Sequence, residues 1–104
     1  MTDWQRHVSD FARRRQLLHA PAVHALDLVS EAGEVAKEVL LATDYGRRAF
    51  QPRPELVDEL GDLLYSVLAL TEACGADAGE ALGRALSKYE HRLAERGTVG
   101  SEVE

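Results

Sequence analysis

Residues 28–36 read Leu-Val-Ser-Glu-Ala-Gly-Glu-Val-Ala, and residues 56–64 read Leu-Val-Asp-Glu-Leu-Gly-Asp-Leu-Leu. Aligned, both copies give Leu-Val, one residue, Glu, one residue, Gly and then an acid. Each copy falls inside a stretch of helical periodicity. Its acids stand three apart, Glu31 with Glu34 and Glu59 with Asp62, which puts both carboxylates on one helix face. On a 3.6-residue wheel Glu31 adjoins Leu28 and Val35, and Glu59 adjoins Leu56 and Leu63, so the acids border the apolar stripe. A carboxylate half removed from water is costly without a positive partner, and no Lys or Arg is spaced to serve all four. Two such helices packed together turn four carboxylates onto a shared space, and these cannot all stay ionised without a cation. A hard divalent ion with oxygen ligands answers that need. The set contains neither His nor Cys, which disfavours zinc and the Glu-x-x-His di-iron pattern. Mg²⁺ is therefore the expected cofactor, with Mn²⁺ as a substitute.

Each copy also carries a glycine in mid-helix, Gly33 and Gly61. Such a glycine costs about 1 kcal/mol relative to alanine. A cost paid twice at the same register predicts a packing or functional reason, such as close approach of another backbone.

The rest of the chain reads as helix. Ala, Leu, Glu and Arg dominate its 104 residues, and aromatics make up only 6%. Trp4, Val8, Phe11 and Leu18 recur near helical spacing and predict a first helix over about 2–17. Pro21 suits the first turn of a second helix reaching about Ala42, with Gly46 as its expected C-terminal cap. Residues 45–54 hold Gly46, Pro52 and Pro54 and read as a loop. A third helix follows from Pro54 to about Ala73, stopped by Gly75. Asp77 and Glu80 form a capping-box-like start for a fourth, which Gly97 ends. The expectation is an all-α, four-helix-bundle-like single domain over 1–97, with a flexible acidic tail over 98–104. In the third helix Leu56, Leu60, Leu63 and Val67 make one apolar face, and Val57, Leu64, Leu68 and Leu70 widen it. A helix apolar over most of its girth is buried on several sides, which predicts a homo-oligomer.

A single cysteine, Cys74, excludes an internal disulfide framework. The polar, Arg-rich start shows no leader, and no apolar run is long enough to span a bilayer. A cytoplasmic protein without membrane contact is expected. The net charge of -6 argues against a nucleic-acid polymer as partner. The charge is nevertheless uneven. Residues 27–62 hold nine acids against four bases, whereas Arg84, Lys88, Arg92 and Arg96 recur every four residues as a basic ridge. Such a ridge suits phosphates that a metal alone leaves unneutralised, and Tyr89, His91 and Arg96 beside it are possible substrate contacts. The plain alternative is a solvated surface with intrahelical ion pairs to Glu80 and Glu95. His7, His19, His24 and His91 show no metal-ligand spacing, and His19 and His24 read as loop and helix-start residues.

Taken together, the run from Leu28 to Leu40, the Asp44-Tyr45-Gly46 turn, Glu59-Leu60-Gly61-Asp62 and Lys88-Tyr89-Glu90-x-Arg92 resemble the MazG-like nucleotide pyrophosphohydrolases over about residues 4–101. The most specific part is Glu-x-x-Glu followed by Glu-x-x-Asp, with 24 residues between them. The resemblance implies an all-α fold assembled as dimers or tetramers. It also implies Mg²⁺-dependent cleavage of nucleoside triphosphates to monophosphate and pyrophosphate. Carried over by position, Glu31, Glu34, Glu59 and Asp62 match the metal ligands, and Lys88 and Arg92 match phosphate-contacting positions. The family's first motif Glu is Ser30 here. If that Glu activates water in relatives, Glu34, Glu38 or a hydroxide on the metal must take its place in this chain. No aromatic stands near Leu17 and Leu18, where relatives often carry a base-stacking residue. Two rival readings keep the helices and change the role: hydrolysis of phosphoribosyl-ATP, and a non-catalytic oligomerisation module.

Overall fold

The computed structural model describes residues 1–100, and in them the chain forms four α-helices and no strand. They are α1 (Asp3–Arg14), α2 (Pro21–Ala42), α3 (Pro54–Ala73) and α4 (Ala78–Arg96). The all-α expectation holds, and the starts of α2, α3 and α4 and the ends of α3 and α4 fall where the proline, glycine and Asp77 signals put them. The expected acidic tail over 98–104 falls in part on residues 101–104, outside the described residues.

The centre is the antiparallel pair α2–α3, with α1 laid against α3. Pro21 and Pro54 each open a helix at the first position, where the missing N–H costs nothing. Asp77 caps α4 by accepting from the Glu80 amide at 3.1 Å. Gly75 and Gly97 end α3 and α4 in the left-handed conformation.

Two helix ends differ from the sequence reading. The terminus of α2 is closed by Asp44 and Tyr45, both left-handed (φ 46° and 58°), with the Tyr45 amide reaching back to the Leu40 carbonyl at 2.7 Å. Gly46 lies beyond that cap. The first helix stops at Arg14 rather than Leu17 because Gln16 turns left-handed (φ 58°) and Leu17 bonds back to the Ala12 carbonyl at 2.7 Å.

The first helix also buries a different stripe from the one its apolar residues mark. Gln5, Ser9 and Ala12 are buried, while Trp4 stays 66% exposed. What α1 meets there is a polar anchor, Glu72 near the end of α3. The Glu72 carboxylate accepts from Gln5 Nε2 (3.0 Å), the Ser9 hydroxyl (2.9 Å) and Arg13 Nη2 (2.8 Å). Gln5 Nε2 also donates to the Ala76 carbonyl at 2.9 Å, and its Oε1 accepts from the Ala78 amide at 2.7 Å. One fully buried side chain thus joins α1, the end of α3 and the first amide of α4. These charge-assisted bonds hold Glu72 below the usual carboxylate range, with Arg13 the largest influence, then Gln5 and Ser9.

Beyond that corner α4 makes little contact with the other helices, and none of its residues is buried.

Candidate metal and phosphate site

The α2–α3 pair brings the two motifs together. Carboxylate oxygens of Glu31, Glu59 and Asp62 lie within 4.8 Å of one another, Glu31 and Glu59 half-buried and Asp62 exposed. The helices run antiparallel, so equal spacing on each puts the acids on the same side of the seam. Partial burial pushes the Glu59 carboxyl up from its ordinary value, and the charges of Asp62, Glu34, Glu31 and Glu38 add to the effect. Three converging hard oxygen donors fit a divalent cation.

Glu34 stands outside the trio, exposed, yet near enough to act on Glu59. Glu38 is engaged elsewhere: its Oε2 lies 3.2 Å from Nε of Arg53, the residue before α3, and Arg53 also approaches Glu55 at 3.8 Å. The acidic seam therefore runs from the trio toward a cation at its α3 N-terminal end. Arg53 went unnoticed in the sequence because it lies in the loop, outside any helical spacing.

The basic ridge is not brought to these acids within one chain. The Lys88 ammonium sits 5.4 Å from the Tyr89 ring centre. Arg92 donates to the Val99 carbonyl (3.0 Å) and Arg96 to that of Gly100 (3.4 Å), while Arg84 approaches Glu80 at 3.9 Å and His91 approaches Glu95 at 3.3 Å.

The motif glycines do not mark backbone approach within the chain: a Cβ on Gly33 or Gly61 would meet no atom within 4 Å. Gly61 instead lines an open groove of about 260 Å³ between α1 and α3, with Trp4, His7, Val8, Leu64, Tyr65 and Leu68. Phe11 braces Tyr65 edge-on, ring centres 6.1 Å apart. The groove explains the misplaced stripe of α1. Its aromatic face lines this concavity, and its polar face makes the contact. A larger hollow at the α3–α4 corner, lined by Gly75, Asp77, Glu80 and Arg84 among others, lies some eleven helical residues from Asp62, about 17 Å of axis. It has no share in the acid cluster. His24, read as a helix-start residue, proves buried, its Nε2 accepting from the His19 amide at 2.9 Å.

No curated protein and no solved structure matches the chain. The family model of the MazG nucleotide pyrophosphohydrolase domain matches residues 21–96, which span α2, the acid trio, α3 and α4. With that match over most of its length, the chain belongs to the MazG nucleotide pyrophosphohydrolase family.

Proposed function

We propose that the protein is a Mg²⁺-dependent nucleoside triphosphate pyrophosphohydrolase, releasing nucleoside monophosphate and pyrophosphate. The observation that carries this reading is the convergence of Glu31, Glu59 and Asp62 across the α2–α3 seam, in a chain of this family. These three carboxylates would hold the cation, with Glu34 beside them. A divalent ion there polarises phosphate oxygens and acidifies water. Glu34, on the same side of the seam and not bound up with a base as Glu38 is, orients the attacking water and accepts its proton. The new P–O bond forms as the α–β phosphoanhydride breaks, and pyrophosphate leaves. The groove lined by Trp4, His7 and Tyr65 accepts the base against aromatic faces.

Charge neutralisation at the phosphates calls on Lys88 and Arg92. Since α4 does not pack across its own α2–α3 pair, the ridge reaches an acid seam from a second copy. The protein acts as a homodimer or a pair of dimers. Exposed apolar side chains support this: Leu26, Val29, Val57, Leu60 and Leu64 on the central pair, and Leu82, Leu86 and Leu93 on α4.

The deciding experiment is pyrophosphate release from a panel of ordinary and modified nucleoside triphosphates with and without Mg²⁺, using the parent protein, Glu34→Gln and Asp62→Asn. Mg²⁺-dependent release by the parent alone is expected. Full activity in both folded variants overturns the site.

A further inference from the structure

Six acids, Glu31, Glu34, Glu38, Glu55, Glu59 and Asp62, belong to the α2–α3 seam or its ends, and among the described residues Arg53 is the cation paired with any of them. Its setting is unusual for a surface arginine. Arg53 Nε and Glu38 Oε2 are both shut off from solvent. They lie 3.2 Å apart, yet neither finds a partner with hydrogen-bond geometry. The Glu38 side chain is only 12% exposed, whereas that of Arg53 is 39% exposed. The Glu38 carboxylate lies against the Nε edge as a close ion pair, Nη2 approaches Glu55 at 3.8 Å, and part of the guanidinium remains open to solvent. The open N–H groups of such a guanidinium are planar, charged donors suited to phosphate oxygens.

Position gives these donors their meaning. Along α3 the order is Arg53, then Glu59 and Asp62, then the groove residues Leu64, Tyr65 and Leu68. Arg53 stands six residues before Glu59, about 9 Å of helix axis. A triphosphate with its cleavage point at the trio and its terminal phosphates running along the seam toward the start of α3 comes within reach of Arg53. On this reading Glu38, paired with the guanidinium, serves to position Arg53 rather than to activate water.

Resting on the functional reading above, we propose that Arg53 binds the terminal phosphates of the substrate and the pyrophosphate product, and that Glu38 is the positioning residue that aims it.

The test uses Mg²⁺ with inorganic pyrophosphate as the probe, on the full chain. In Arg53→Ala the inhibition constant for pyrophosphate and the KM for triphosphate should rise about tenfold or more. Inhibition by nucleoside monophosphate, which lacks the terminal phosphates, should stay near the parent value. The rise in melting temperature that Mg²⁺-pyrophosphate gives the parent should be lost in Arg53→Ala, a readout independent of turnover. Arg53→Lys should recover part of both effects, and Glu38→Gln should weaken pyrophosphate less than Arg53→Ala does. Should Arg53→Ala leave Glu38 stranded and fail to fold, the double variant Arg53→Gln/Glu38→Gln removes both charges together and carries the same prediction. A merely structural tie lowers the melting temperature of the free protein and leaves pyrophosphate inhibition unchanged, and that result overturns the proposal. A parent protein that releases pyrophosphate from no nucleoside triphosphate overturns the functional reading and this proposal with it. An active parent with an unaltered Arg53 variant overturns this proposal alone.

Discussion

At the scale of single residues, Glu59 and Glu72 show opposite solutions to placing a carboxylate on α3. Glu59 is partly covered, faces four other acids and titrates above its ordinary value. The unfolded chain therefore gives up this proton at lower pH than the folded one. Stability falls as pH rises through about 4.5 toward the raised folded value, and the penalty persists at neutral pH. Glu59→Gln should accordingly raise the melting temperature of the metal-free protein at pH 7, change little well below pH 4.5, and abolish the Mg²⁺-linked rise the parent shows. Thermal melts across that pH range with and without Mg²⁺ check all three. A loss of stability at neutral pH in metal-free Glu59→Gln contradicts this account. Glu72 behaves in the reverse sense. Its folded value is lowered, so its contribution is complete above about 4.5 and lost as pH falls through the folded value. Glu72→Gln should cost about 2 kcal/mol at neutral pH, judged from hydrogen bonds to a charged group, and should flatten the acid limb of the stability curve. Equal acid sensitivity in variant and parent, measured by denaturant titration at several pH values, would show that Glu72 is not the group responsible.

At the scale of elements, the basic ridge of α4 packs little against the rest of its own chain, and the proposed function brings it to the acid seam of a second copy. Supply from a second copy makes a sharp prediction for mixtures. A Glu59→Gln chain keeps its basic ridge and a Lys88→Ala/Arg92→Ala chain keeps its acids, and each alone should be inactive. Co-refolded in equal amounts, half the dimers are mixed and one of the two sites in each is intact. About a quarter of parental activity should return, whereas a site completed within one chain gives none. The same helix shows how much the sequence made legible. Its cap at Asp77, its stop at Gly97 and its basic ridge were readable because each depends on residues a few positions apart. Where the helix points was not, because that is decided by Gln5 some seventy positions away. The first helix repeats the lesson. The spacing of Trp4, Val8 and Phe11 announced an apolar face correctly. A periodic pattern cannot say whether such a face meets a helix or lines a groove. The convergence of Glu31, Glu59 and Asp62 was legible because the motif repeats. The place of Arg53 against Glu38 was not, because a loop residue meets a helix through the path of the chain rather than through a spacing.

At the scale of the whole molecule, a single chain leaves much apolar surface uncovered. Val57, Leu60, Leu64 and Val67 leave a continuous apolar side on α3, and Leu26 and Val29 do the same on α2, 72% and 70% exposed. Bare apolar area of that extent is rare on a stable monomer. Light scattering at micromolar concentration should therefore give a dimer or tetramer. Val57→Asp/Leu60→Asp should shift the mass toward monomer and lower activity with it. A purely monomeric parent would remove the basis for sharing a site. The Gln5 junction carries a further consequence, for the order in which the parts come together. The hairpin of α2 and α3 closes over a loop of eleven residues. The bonds of Gln5 to Glu72, Ala76 and Ala78 span 67, 71 and 73 positions, and each must wait for a long loop to close. The first helix should dock last during folding and detach first during native-state fluctuation, so its amides should exchange with solvent deuterium well before those of α3. Such detachment also takes away the wall of the groove that Trp4, His7 and Val8 form, tying the breathing of the fold to the lifetime of whatever the groove holds.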